Sequence, residues 1–138
     1  MKKVMIIMVF VVMVLNAFSQ VRIGYTENEI KQEFEDNGFY KVNDEHGDKS
    51  LMSTFKRALV LYYFTGEITT AVAILPYNLA EYNFYRRQYD QLYIRTSKNK
   101  WKAMLNDHPF VIEIRKGVDG SKYFYWAPDF SREDEAGK

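Results

Sequence analysis

The chain has 138 residues, no cysteine, and 19 basic against 18 acidic side chains for a formal charge of +1. That length suits one domain, the missing cysteines exclude disulfides, thiolate metal sites and cysteine nucleophiles, and the near-zero charge argues against a nucleic-acid partner. Aromatic content is high, at 11 Tyr, 10 Phe and 2 Trp.

Residues 1–19 read as a secretory signal peptide. Lys2 and Lys3 form a positive start, Val4 to Leu15 is an unbroken apolar run of 12, and Asn16-Ala17-Phe18-Ser19 offers a cleavage site before Gln20. The run is too short to cross a bilayer, which takes about 20 apolar residues. No later segment approaches that length, so no membrane span is expected after cleavage. The expected location is the periplasm or the medium. The mature chain then has 119 residues, a charge of −1 and 21 aromatics against 20 Ile, Leu and Val.

The first element of the mature chain is a helix over 27–37. Thr26-Glu27-Asn28-Glu29 has the form of a capping box, Tyr25 and Ile30 occupy staple positions, and Gly38 stands where a C-terminal cap belongs. A polar stretch from Asn43 to Lys49 follows, and then three strand-like runs. Ser50–Lys56 alternates, Ala58–Phe64 reads as a strand covered on both faces, and Ile68–Leu75 ends at Pro76.

A second helix starts at Asn78-Leu79-Ala80-Glu81. Leu79, Tyr82, Tyr85, Tyr89 and Leu92 make one apolar stripe along it. After Ser97-Lys98-Asn99 come three further strands, Lys100–Leu105, Phe110–Lys116 and Lys122–Ala127, separated by turn-forming residues. From Pro128 the periodicity is lost, and 128–138 reads as a frayed tail. The expectation is a single α+β domain over 20–127: helix-βββ-helix-βββ, with about six antiparallel strands and both helices on one face.

Catalytic motifs are missing. His46 and His108 fall in turns without motif partners, and there is no nucleophile elbow, zinc-protease helix or phosphate loop. A small hydrolase would need His46, His108 and nearby carboxylates to converge. Asp44-Glu45-His46-Gly47-Asp48 lacks the alternate-position spacing of a calcium loop. No cofactor and no metal site is expected.

Alternation on the last meander sends Phe110, Ile112, Ile114, Phe124 and Trp126 one way. It leaves Val111, Glu113, Arg115, Tyr123 and Tyr125 on the other face, with Lys102 and Met104 outward on the neighbouring strand. The binding candidates are therefore Tyr123, Tyr125, Arg115 and Glu113 on a helix-free sheet face, facing another protein or an envelope component. An alternative is a glycan-binding module with Trp126 or Trp101 as stacking platform.

The leader ending Ala-Phe-Ser-Gln, the T-x-x-E-I helix start, LVLYYF…AVAILPYN, K-W-K-A-M and the closing YFYW together resemble a family of short exported proteins of Gram-negative bacteria. The resemblance implies export and carries over no catalytic residue. The helix-and-meander layout is similar in outline to periplasmic modules of the β-lactamase-inhibitor-like and outer-membrane-assembly type, an architectural likeness that gives no function.

Overall fold

A computed structural model describes residues 21–43, 49–105 and 107–129. Helix α1 (Glu27–Glu33) leads into strands β1 (Phe39–Asn43), β2 (Lys49–Thr54), β3 (Ala58–Thr65) and β4 (Ile68–Pro76). Helix α2 (Leu79–Leu92) leads into β5 (Ile94–Ser97), β6 (Lys100–Leu105), β7 (His108–Lys116) and β8 (Lys122–Pro128). The signal-peptide segment, His46 and the Asp44–Asp48 cluster lie outside the described residues, as does the tail beyond Asp129. Among the described residues no helix is long and apolar enough to cross a membrane.

The class is α+β with one antiparallel sheet, but the sheet has eight strands where about six were expected, in the order β1-β2-β3-β4-β8-β7-β6-β5. The unit is helix plus four strands, used twice. Both strands that pattern reading passes over, β1 and β5, directly follow a helix and form the two edges of the sheet. An edge strand has one neighbour and needs no continuous apolar run. All four residues of β5 are exposed, so neither alternation nor an apolar block marks it.

The two halves run the same length, Glu27–Pro76 and Leu79–Pro128, and both end on proline. Tyr25-Thr26-x-x-Glu29 opens the first and Tyr77-Asn78-x-x-Glu81 the second, while Pro76 and Pro128 close them. Their last strands meet in the middle through three register pairs, Val72↔Trp126, Ala73↔Tyr125 and Ile74↔Phe124. The order of strands is thus palindromic about a β4–β8 seam.

Both helix starts form as their caps dictate. The Thr26 hydroxyl accepts from the Glu29 amide at 3.3 Å, and Glu29 accepts from the Thr26 amide at 3.1 Å. Asn78 accepts from the Glu81 amide at 3.0 Å. There the carboxylate does not reach back but takes Arg57 from the β2–β3 turn at 2.9 Å, with that guanidinium 4.0 Å above the Phe84 ring.

Helix α1 stops a turn before the expected Asn37. Phe34 leaves the helical region at φ −114 and packs edge-on against Phe55 at 5.0 Å, so the chain turns before Gly38 is reached. Leu79, read as the start of the α2 stripe, is 72% exposed, and the stripe is buried only from Tyr82 on, through Tyr85 and Tyr89.

The helices share one face of the sheet. Tyr82 stacks on Phe124 at 5.2 Å and Tyr89 meets Phe124 and Trp126 at 5.0 and 5.7 Å, while Ile30 of α1 is fully buried in the same core. The largest buried side chains are aromatic: Trp101, Trp126, Tyr62, Tyr89 and Phe124. Their polar atoms are served inside. The Trp126 indole N–H donates to the Tyr89 hydroxyl at 3.2 Å, and the Trp101 N–H donates to Asp90 at 2.9 Å.

Candidate functional site

Strand alternation that buries Val60, Tyr62, Val72, Ile74, Phe124 and Trp126 under the helices must send the intervening residues to the opposite side. One row can be followed through the register across seven strands: Tyr40, Met52, Leu61, Ala73, Tyr125, Glu113 and Lys100. The row is apolar from the β1 edge to the centre and charged from the centre outward. Val42, Leu59, Tyr63 and Leu75 widen the apolar half, and no described segment of the chain packs over it.

Around the seam the face is aromatic. Tyr63 and Tyr125 approach to 6.1 Å across β4, over the small side chains of Ala71 and Ala73. Ala73 is only 1% exposed as a result. The Arg115 guanidinium lies 3.8 Å above the Tyr125 ring, and its Nε is 3.8 Å from Glu113 Oε1. Burial, with the Tyr123 and Tyr125 hydroxyls close by, pushes the Tyr63 phenol above its ordinary value, while Arg115 opposes the shift. The cluster presents phenol hydroxyls beside a guanidinium, a surface that both donates hydrogen bonds and stacks.

Four of the residues singled out from the sequence, Tyr123, Tyr125, Arg115 and Glu113, come together here. The other two do not. Trp101 and Trp126 point under α2 and are 0% exposed, so the surface stacking platform expected of either indole is corrected to a core role. Their alternation partners are inward residues, and a large ring shielded from water contributes more than one left wet.

Ala58–Phe64, expected to be covered on both faces, is covered on one, which leaves the apolar half of the helix-free face open. Only Ala58, Val60 and Tyr62 are covered, whereas Leu59 and Leu61 are half-buried and Tyr63 is exposed. The available signal was the neighbouring pair Tyr62-Tyr63. Two adjacent strand residues must face opposite ways, so one of those hydroxyls had to lie on the far side.

His108 begins β7, exposed, beside the β6–β7 turn. Among the described residues no group of three His, Asp or Glu could hold a metal ion. A cavity of 490 Å³ beside α1 is lined by Thr26, Glu27, Lys41, Ser50 and Glu67 among others. Four of its polar side chains are engaged within the protein. Thr26 caps α1, Ser50 donates to the Val42 carbonyl at 3.1 Å, and Glu27 pairs with Lys31 at 3.0 Å and Lys41 at 3.4 Å. Those lysines hold the Glu27 carboxyl below its usual value.

Comparison with protein-family models, with curated proteins and with solved structures finds no match to this chain.

Proposed function

We propose that this chain is an exported, non-enzymatic α+β module that binds another protein or a cell-envelope component through the helix-free face of its sheet. Export rests on the leader-like residues 1–19 and on the resemblance to short exported proteins of Gram-negative bacteria. The observation that carries the binding reading is the row from Tyr40 to Lys100, which leaves a contiguous apolar and tyrosine-rich surface on the side opposite both helices. A sheet in a monomer is ordinarily packed on one face and polar on the other. Contiguous exposed apolar patches are a common mark of interaction sites, and Tyr and Arg are among the residue types that dominate binding energy at interfaces.

The test removes the aromatic cluster without touching the core. In a pull-down from periplasmic extract, Tyr123→Ala/Tyr125→Ala retains the circular dichroism of the parent and loses its partner, with affinity lower by about tenfold or more. An unchanged pull-down with the fold intact would show that the face is not the binding site.

A further inference from the structure

We propose that the corner between the second half of α2 and edge strand β5 is a binding site for a phosphate-type oxyanion, separate from the helix-free face. An open cavity of 530 Å³ there is lined by Arg86, Arg95, Thr96, Ser97 and Lys98, three cations and two hydroxyl side chains with no acid among them. Arg86 is half-buried, its Nε is shielded from solvent, and no described group accepts from it. A shielded guanidinium N–H without an acceptor is costly, and the same Arg86 side chain lines the cavity, where an anion would offset that cost by pairing with its charge.

Arg95 is already oriented. Its Nη2 donates to the Lys98 carbonyl at 2.8 Å, Nη1 is 3.7 Å from Asp90, and the guanidinium lies 5.4 Å from the Trp101 ring centre. Asp90 is the nearby acid, and its Oδ1 also accepts from the Trp101 N–H at 2.9 Å.

Charge distribution points the same way. Residues 86–98 carry Arg86, Arg87, Arg95 and Lys98 against Asp90 alone, a local +3. The other 125 residues therefore carry −2 within a chain of +1. The corner is thus a positive region of a nearly neutral chain, which attracts anions at long range. A carboxylate presents two acceptor oxygens in one plane. A tetrahedral oxyanion has acceptors for two guanidinium groups, an ammonium and a hydroxyl together. The phosphate can be free or carried on a lipid headgroup.

Two arms separate these sources. Inorganic phosphate is titrated by calorimetry and by NMR of the arginine Nε–H signals, with chloride at matched ionic strength as control. Flotation then compares phosphatidylglycerol vesicles with phosphatidylcholine vesicles. The expected result is saturable phosphate binding that moves the Arg86 signal. Arg86→Gln weakens it about tenfold, as loss of a charge-assisted hydrogen bond does. Lys98→Gln, at an exposed turn position, weakens it on the order of threefold with no change in fold, as loss of one more distant charge does. Phosphate binding together with flotation on the anionic vesicles supports the site with a headgroup as source, and phosphate binding without flotation supports it with the free ion as source. Phosphate behaving like chloride, or both variants binding like the parent, would overturn it. The cations would then serve only to keep the open edge of β5 from pairing with other strands. If Arg86→Gln does not fold, Lys98→Gln alone decides.

Discussion

Tyr89 does what a phenylalanine in its place could not. Its ring meets Tyr85, Tyr93, Trp101, Phe124 and Trp126, all within 6.1 Å, and its hydroxyl is the acceptor for the Trp126 indole N–H. Burial pushes that phenol far above its usual value, so it stays protonated, leaving the oxygen lone pairs to accept. Tyr89→Phe keeps the packing and strands the indole N–H in a dry core. The expected cost is about 1–3 kcal/mol, the desolvation penalty of an unsatisfied buried donor, read as a lower urea midpoint with unchanged slope. A variant as stable as the parent would show that the hydrogen bond contributes nothing net. The aromatic stripe that contains Tyr89 was visible in the sequence as spacing. Its partner was not, because Trp126 lies 37 residues further on and nothing local links the two.

Elements in this fold are short and depend on their ends. Helix α1 has seven residues, too few to hold itself in water without packing and caps. The reciprocal Thr26–Glu29 pair satisfies donors at its start, and Arg22 grips Glu33 near its end at 2.7 and 2.8 Å. Thr26→Ala should therefore cost about 1 kcal/mol, the usual value of an N-cap. The loss should appear as faster amide exchange in α1 than in α2. Equal exchange in the two helices would mean that packing of Ile30, not the cap, holds α1. Such caps could be read from four residues, because the chemistry is local. Strands β1 and β5 could not, because what makes them strands is a neighbour already in place. Their own side chains, Phe39 to Asn43 and Ile94 to Ser97, carry no block pattern of their own. For the candidate site the same division holds. Alternation within β7 and β8 put Tyr123, Tyr125, Arg115 and Glu113 on one side, whereas the contribution of Tyr63 required knowing that β4 and β8 are adjacent.

Taken whole, the molecule is held by an aromatic core without disulfides, and this makes it sensitive to alkali. Burial raises the phenols of Tyr62, Tyr89 and Tyr93 above their ordinary value. The folded state then holds protons that the unfolded chain releases near pH 10. Stability contributed by these groups is fully present below about pH 10 and falls as pH rises beyond it. A titration of tyrosinate absorbance should show Tyr62, Tyr89 and Tyr93 ionising only together with loss of tryptophan burial. A single smooth titration with tryptophan emission unchanged would contradict this. The β4–β8 seam bears on how such a molecule assembles. Every other strand pairing joins neighbours in the chain, but Val72 and Trp126 stand 54 residues apart. Closing that loop costs more chain entropy than any hairpin, by an amount that grows as about 1.5 RT times the logarithm of its length. The hairpin pairings within each meander are therefore the cheaper ones to close, and the seam is the costliest. Until it closes, each half exposes an unpaired strand for which the matching strand of another molecule is an equal partner, so the concentration at which the chain folds decides whether halves meet within one copy or exchange between two.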